Sequence, residues 1–428
     1  MPVASAPPRE RAALVGLIAG AKRRLAAEQS MDELAGLAEA AGAQVVLRVS
    51  QERARPDAAT FLGRGKLELL AAACAEANVE VAIFDHELSP AQLSAIEVIV
   101  GRKIVDRTQL ILDIFARRAR TREGKWQVEL AQLEYLLPRL AGSSLALSRL
   151  GGGIGTRGPG ETKLETDRRR IRTRIHHIGK AIDDVRRRRA QLRERRQKQA
   201  MPTVALVGYT NAGKTTLFNL LTREAAEASD ALFVTLDPLV RRVRLPDRRE
   251  LLASDTVGFI DRLPHTLVAA FRATLEEVAE AALVLHVIDA ASPERERHMA
   301  AVRSVLAEVE AADVPRVHVY NKCDLLGPDE LRRLRASDPQ ALFISARTGA
   351  GRDDLLEAVA ARLALDVQRV TLEFDPRSDT DRAQVARLYR DARVIQHIET
   401  DDRLAIEADV PRRVLDRMGR ARRMAETA

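Results

Sequence analysis

At 428 residues the chain is too long for one hydrophobic core and implies two or three domains. Apolar residues make up 46% of it and aromatics only 3%, so its interiors must be built from Leu, Ile, Val and Ala; no apolar run approaches the ~18 residues of a membrane span. The formal net charge of +8 and a pI near 9.8 exclude a strongly acidic protein and favour an acidic partner.

Taken in chain order, Met1 to Arg11 carries prolines and charges but no apolar signal-peptide core. Cys74 and Cys323 have neither metal nor disulfide spacing and read as reduced thiols, which places the protein in the cytoplasm. Residues 1 to about 105 alternate strand and helix: a strand Val45 to Val49, a helix Lys66 to Ala77, a strand Val79 to Phe84 and a helix Ser89 to Val100.

Two apolar seams of one period follow. Trp126, Leu130, Leu133, Leu137 and Leu140 recur at steps of four and three. Leu164, Ile171, Ile175, Ile178, Ile182, Val185 and Leu192 do so at steps of three, four and seven. They predict an antiparallel helical hairpin over 106–199, kinked at Pro138, with a tip at about 141–163 and a charged connector ending near Met201. From Arg168 to Lys198 there are fourteen Lys or Arg against three acids, Asp183, Asp184 and Glu194. The tip holds Gly151 to Lys163, whose glycine density argues against regular structure; it lacks the ending of a phosphate loop. A loop held on a basic stalk suits insertion into something large and anionic, although a basic helix face is often only a solvated surface.

Gly208-Tyr209-Thr210-Asn211-Ala212-Gly213-Lys214-Thr215 matches G-x-x-x-x-G-K-[ST] residue for residue, after the apolar run Val204 to Val207 and before a helix over 214–222. Gly213 takes a conformation that a Cβ would obstruct. Lys214 reaches the β- and γ-phosphates, and the Thr215 hydroxyl ligates Mg²⁺. The helix N-terminus adds its dipole to anion binding.

Phe233-Val234-Thr235-Leu236-Asp237 lies on a polar-flanked loop. Thr235 is the candidate second Mg²⁺ ligand, present only with a γ-phosphate. Asp255-Thr256-Val257-Gly258 ends the strand Leu251 to Ser254; Asp255 is placed to hold Mg²⁺ through water, and the Gly258 N–H to reach the γ-phosphate. Further strands, Leu283 to Ile288, Val317 to Tyr320 and Leu342 to Ile344, precede the remaining motifs. Asn321-Lys322-Cys323-Asp324 offers a carboxylate to both N–H donors of a guanine edge, with Asn321 and the Lys322 stem holding the loop and stacking on the base; Ser345-Ala346-Arg347 closes the set. N-K-x-D alone is weak, but four motifs in this order at strand ends mean GTP binding.

One position departs from Ras-like proteins: the residue after Gly258, a water-orienting glutamine there, is Phe259 here. Hydrolysis must then be slow or completed by another group. Asn211 is the candidate, either as ligand to a K⁺ ion that neutralises charge or simply as a residue that tolerates the loop geometry. The catalytic set is therefore Lys214, Thr235, Gly258 and Asn211. Residues 365–428 add a strand Val370 to Phe374, a helix Arg382 to Arg393 and a strand Leu404 to Ala408.

The whole predicts an α/β protein. A P-loop GTPase domain (200–364), its mostly parallel sheet covered by helices on both faces, is preceded by an N-terminal α/β subdomain (1–105) bearing the hairpin (106–199). A small α+β tail (365–428) follows it.

Phe61-Leu62-Gly63-Arg64-Gly65-Lys66, the loop Gly151 to Lys163 with Leu164-Glu165-Thr166-Asp167-Arg168, Gly208 to Thr215 and Asp255 to Phe259 together resemble the HflX family of ribosome-associated GTPases over about residues 25 to 365. The resemblance implies binding to the large ribosomal subunit and its RNA, with the glycine loop reaching toward the peptidyl-transferase region. It also implies separation of stalled or idle ribosomes into subunits under stress, and peripheral membrane association as in the family. A hydrophobic residue at position 259 fits that family. A monomer is expected. An RNA-binding or assembly factor with incidental hydrolysis stays open, and a tRNA-modifying GTPase ranks last because neither cysteine has surroundings that would supply its chemistry.

Overall fold

The computed structural model describes residues 9–18, 20, 24–148, 159–198, 201–222, 232–233, 235–246, 249–261, 267, 277–363, 367–400, 403–411, 414–415 and 423–424. It forms two compact units. The first joins Met1–Arg188 with two short later segments, Ser229–Asp237 and Asp261–Ala273; the second contains Arg189–Ala228, Pro238–Ile260 and Thr274–Ala428.

The first unit holds β1 (Arg11–Ile18), α1 (Arg24–Ala40), β2 (Gln44–Glu52), α2 (Arg64–Glu76), β3 (Val81–Phe84), α3 (Pro90–Val100), β4 (Lys103–Asp106) and α4 (Arg107–Arg118). Its sheet runs β2-β1-β3-β4 with every pairing parallel. β1 is central and buried along nearly its whole length, so it reads as a continuous apolar run rather than an alternation. That is why the alternation reading passes over it, although it is the middle of the sheet. α3 starts at a full capping box, Ser89 with Gln92, has Pro90 in its first turn, and ends at Gly101 in the left-handed region (φ 65°). Asp106 caps α4 by accepting from the Gln109 N–H at 2.9 Å.

The hairpin is α5 (Arg122–Ser148) and α6 (Pro159–Lys198). Its arms lie side by side: the Arg174 guanidinium donates twice to the Glu129 carboxylate, at 2.7 and 2.8 Å. Three expectations are corrected. Residues 141–148 and 159–163, expected in a non-helical tip, are helical, because Leu145, Ala146 and Leu147 are strong helix formers and Pro159 suits a first helical position. Residues 149–158 lie outside the described residues. The stretch expected as a connector is helix to Lys198. On α5 the fully buried side chains are Gln127, Val128, Ala131 and Tyr135, while Trp126, Leu130, Leu133, Leu137 and Leu140 are only half-buried. The cause is that α5 also packs on α3 and α4, so two faces compete. The helix continues through Pro138, which removes one intrahelical donor.

The second unit carries β5 (Thr203–Gly208), α7 (Lys214–Thr222), β6 (Leu239–Arg244), β7 (Glu250–Asp255), β8 (Leu283–Asp289), α8 (Arg295–Glu308), β9 (Arg316–Asn321), α9 (Pro328–Ser337), β10 (Leu342–Phe343) and α10 (Arg352–Leu363). The sheet order is β10-β9-β8-β5-β7-β6, parallel except for β6, which runs antiparallel to β7. Leu206, Val287, Val319, Leu217 and Leu355 sit in one apolar core. With β7 on one flank of β5 and β8 on the other, the strand order reverses at β5, and the crevice at the strand carboxyl ends opens there. A third sheet, β12-β13-β11-β14, is built from β11 (Val367–Phe374), β12 (Arg393–Thr400), β13 (Arg403–Pro411) and β14 (Arg423–Met424), with α11 (Asp379–Asp391) against it. Its pairings are antiparallel. Among the described residues no helix is long and apolar enough to cross a membrane.

Candidate functional site

Hydrogen bonds at the carboxyl ends of the strands link all four strand-end motifs. Asn321 is the hub. Its Nδ2 donates to the Ala212 carbonyl at 2.9 Å, and its Oδ1 accepts from the Ala346 N–H at 2.8 Å. One buried carboxamide thus ties the 208–215 loop to the 345–347 loop. This arrangement explains Gly213, whose φ is +89° and whose hypothetical Cβ would stand 2.2 Å from Asn321 Nδ2.

Lys214 is buried at the start of α7. Its Nζ donates to the Gly208 and Tyr209 carbonyls at 3.1 and 2.9 Å. Burial lowers its pKa to about 8, with the Asp255 carboxylate pulling the other way. Thr215 Oγ1 donates to Asp255 Oδ2 at 2.8 Å, so two hard oxygen ligands from different elements converge. That donor set fits Mg²⁺, which takes one or two protein oxygens and keeps several waters. Gly258 lies close by: a Cβ there would come within 3.0 Å of Thr210 Cα and 3.2 Å of Lys214 Nζ.

Other residues in and beside these motifs have structural partners. The Thr256 hydroxyl donates to the Leu206 carbonyl at 2.7 Å and is fully buried, and Val257 belongs to the core. Phe259 is 1% exposed; its backbone pairs with the first turn of the phosphate loop, Phe259 N–H to Gly208 O at 3.1 Å and Thr210 N–H to Phe259 O at 2.7 Å. The side chain that replaces a glutamine is therefore a core residue holding the loop. Asn211 is exposed and left-handed, with φ 59°. Asn tolerates that region, so backbone geometry alone accounts for its presence.

Lys322 also has positive φ (62°), and its ammonium meets the Asp289 carboxylate at 2.8 Å, a partner from the end of β8 that motif reading missed. Asp324 is exposed on the short helical turn Cys323–Leu325, leaving its carboxylate accessible. The Cys323 thiol donates to the Tyr320 carbonyl at 3.3 Å, and burial pushes its pKa up. Ser345 accepts the Thr348 N–H at 3.2 Å, and Arg347 is exposed. The ring of Tyr209 stacks on His298 of α8, centroids 3.8 Å apart, a second contact no motif announces.

The 233–237 segment belongs to the first unit. Phe233 and Leu236, expected beside a ligand, are interior side chains at 2% exposure each. Asp237 is held by Arg120 and Thr121. Thr235 is half-buried, and Val234 lies outside the described residues.

Three family models match consecutive stretches: one described as GTP-binding GTPase N-terminal over residues 28–116, one as GTP-binding GTPase Middle Region over 118–196, and one as 50S ribosome-binding GTPase over 203–322. GTPase HflX of Caldanaerobacter subterraneus subsp. tengcongensis is 47% identical over 366 residues, covering 86% of this chain and 83% of that protein. The chain belongs to the HflX family of GTPases. GTPase HflX of Escherichia coli is 44% identical, with 90% of each chain covered. A GTP-binding protein from Sulfolobus solfataricus, solved with GDP, aligns with a TM-score of 0.42 at 23% identity, covering 82% of this chain and 98% of that one. As a member of this family the chain is an enzyme that binds GTP and hydrolyses it to GDP and phosphate.

Proposed function

We propose that this GTPase binds the ribosome, chiefly the large subunit and its RNA, and uses its nucleotide cycle to separate stalled or idle ribosomes in the cytoplasm. The observation that carries the reading is the hairpin. A 40-residue arm, α6, is braced on α5 by Arg174 and Glu129, and its sequence is dense in Arg and Lys. The description of the model matched over residues 203–322 supports the same partner.

In this reading Lys214 and the N–H groups of residues 208–215 hold the phosphates, and Thr215 holds Mg²⁺ directly and Asp255 through water, with Thr235 added when a γ-phosphate is present. Gly258 offers its N–H to that phosphate. Asp324, Asn321 and Lys322 select guanine, and Ser345 to Arg347 close over the base. Mg²⁺ held there would neutralise the charge that develops on the transferred phosphoryl group. Asn211 is the candidate ligand for an activating K⁺.

Pelleting the protein with ribosomes under a non-hydrolysable GTP analogue and under GDP tests the reading, followed by sucrose gradients for subunit release. Removing Gly151 to Gly160 is expected to leave GTP binding intact and abolish release. Neutralising Arg186 to Arg189 is expected to weaken association and flatten its salt dependence, by about one in log–log slope for each phosphate no longer neutralised. Arg187 pairs with Asp184 one turn away, and an exposed pair of this kind is weak. Normal release by the loop deletion would reduce the stalk to a solvated helix.

A further inference from the structure

Every helix begins with N–H groups that need partners, and α5 finds an unusual one. Thr121 stands at its N-cap: its hydroxyl accepts the Gly124 N–H at 3.0 Å, and its carbonyl accepts the Lys125 N–H at 3.0 Å. A capping box would place Glu or Gln at the third helical position, which here is Gly124. The acid instead comes from 116 residues along the chain. Asp237 Oδ2 accepts the Arg120 and Thr121 N–H groups at 3.0 and 2.9 Å, and Asp237 Oδ1 accepts the Thr121 hydroxyl. Gly124 leaves room for this, since a Cβ would stand 2.2 Å from Asp237 Oδ1.

Two further contacts join α4, which leads into α5, to the same two excursions of the chain. Phe233, with φ 56°, packs edge-on against Phe115 with centroids 4.7 Å apart. Arg107, at the start of α4, donates to the Asp261 carbonyl at 3.3 Å while ion-paired with Asp85 and Glu33. The segments gripped in this way lie on either side of β6 and β7 in the chain, one containing Thr235 and the other following Gly258. α4 and the turn after it thus contact Phe233 and Asp237 on one side and Asp261 on the other.

We propose that Asp237 is a nucleotide-controlled brace on the N-cap of the hairpin helix, with Thr121 and Gly124 as the positioning residues that receive it. The proposal rests on the reading of 233–237 as the segment that follows the γ-phosphate. Asp237 is two residues from Thr235, so a movement that carries Thr235 beyond the ~7 Å reach of two residues from the present position of Asp237 cannot leave Asp237 in place. GTP then withdraws the carboxylate, frees the first turn of α5 and lets the arm re-aim. GDP restores the cap. Reciprocity follows: whatever holds the hairpin in its uncapped position favours GTP by the same factor.

The test is amide hydrogen exchange of the full chain, without ribosomes, in GDP and in a non-hydrolysable GTP analogue. Peptides spanning Arg120 to Lys125 are expected to exchange about tenfold faster with the GTP analogue. In Gly124→Ala, whose methyl occupies the place of Asp237 Oδ1, exchange is expected to be fast in both states, and the ratio of GTP-analogue to GDP affinity to rise at least fivefold. Thr121→Val, which keeps the space but loses the hydroxyl, is expected to give a partial version of both effects. Circular dichroism checks that each variant is folded, and alanine has the higher intrinsic helix propensity of the two residues. Equal exchange in the two nucleotides overturns the proposal. So does a nucleotide difference that survives intact in Gly124→Ala. Because no ribosome is present, failure of the ribosome reading leaves this result unaffected, and ribosome release with equal exchange removes only the cap.

Discussion

The loop over residues 208–215 and the segment over 233–237, both proposed for the nucleotide site, are organised in opposite ways. The first is fixed from within its own unit: Asn321 bonds to Ala212 and Ala346, Lys214 folds onto Gly208 and Tyr209, and Phe259 pairs its backbone with Gly208 and Thr210. The second has its side chains committed elsewhere, Phe233 to Phe115 and Asp237 to Thr121. A site that must bind nucleotide in every state is pre-organised, while one that must change with the γ-phosphate is held by interactions that can be exchanged. The difference lies in which residues are free to wait for a ligand, and it can be attacked experimentally from either side.

The largest effect is expected at Phe259, where the pre-organised side of the comparison is most exposed to damage. Its ring is fully buried, so Phe259→Ala is expected to cost about 3–5 kcal/mol of stability from reduced burial and the cavity left behind. The position first invites a kinetic experiment, because it replaces a catalytic glutamine. The structure makes that experiment ambiguous, and Phe259→Leu is the better kinetic variant, expected to stay folded with altered hydrolysis. Chemical denaturation of both variants checks this. A fully stable alanine variant would mean that the Phe259 ring adds nothing to the core in which it is buried.

Next comes the guanine end. Asp324→Asn exchanges a carboxylate for an amide and is expected to lower GTP affinity by about two orders of magnitude and to favour xanthine nucleotides. The Asp324 side chain is exposed, so the effect should appear in binding and not in stability. Titration with labelled GTP and XTP, beside a melting curve, separates the two, and unchanged GTP affinity rejects the assignment.

How far these differences can be read from sequence follows the same division. The chemistry-bearing residues of the pre-organised loops sit in contiguous motifs after apolar strands, so Gly213, Lys214, Thr215, Asp255 and Asp324 are legible directly. The hub role of Asn321, the Asp289 partner of Lys322 and the Tyr209–His298 stack depend on which strands lie side by side, and no local pattern encodes that. β1 escapes alternation because a central parallel strand is buried on both faces. Phe233 and Leu236 look like part of a loop motif because nothing nearby in sequence says that α4 will cover them. Gly124 is the clearest case: an unexplained helix glycine becomes intelligible only once Asp237 stands beside it.

A smaller effect probes the core beneath the pre-organised loops. His286 on β8 is 1% exposed, its Nδ1 has no hydrogen-bond partner among the described residues, and its ring meets His318 edge-on at 5.5 Å. Burial lowers its pKa to about 3, with His318, Arg316, Arg303 and Lys214 adding in the same direction. It is therefore neutral when folded, while the unfolded chain takes up a proton below about 6.5. Stability from this group is complete above that value and falls as pH drops from about 6.5 toward 3. At about pH 5 the loss is about 2 kcal/mol, from about 1.4 kcal/mol per pH unit. Denaturant midpoints should fall between about pH 7 and pH 5 for the parent and change less in His286→Leu; equal slopes would show that His286 is not the titrating group.

The smallest effect belongs to Asn211, where backbone and chemistry offer rival accounts of the same residue. A left-handed φ of 59° is reason enough for an asparagine, and glycine satisfies it equally well. Asn211→Gly should therefore preserve the loop, with GTP affinity within about threefold of the parent, as glycine costs little where φ is positive. What glycine lacks is the carboxamide oxygen that would bind K⁺. Hydrolysis by the parent is expected to be faster in potassium than in matched sodium buffer, and that preference is expected to vanish in Asn211→Gly while affinity persists. Retained preference in the variant moves the cation to other ligands. Equal rates in the parent leave Asn211 as a residue chosen for its backbone, held ready like the rest of the loop and contributing no chemistry of its own.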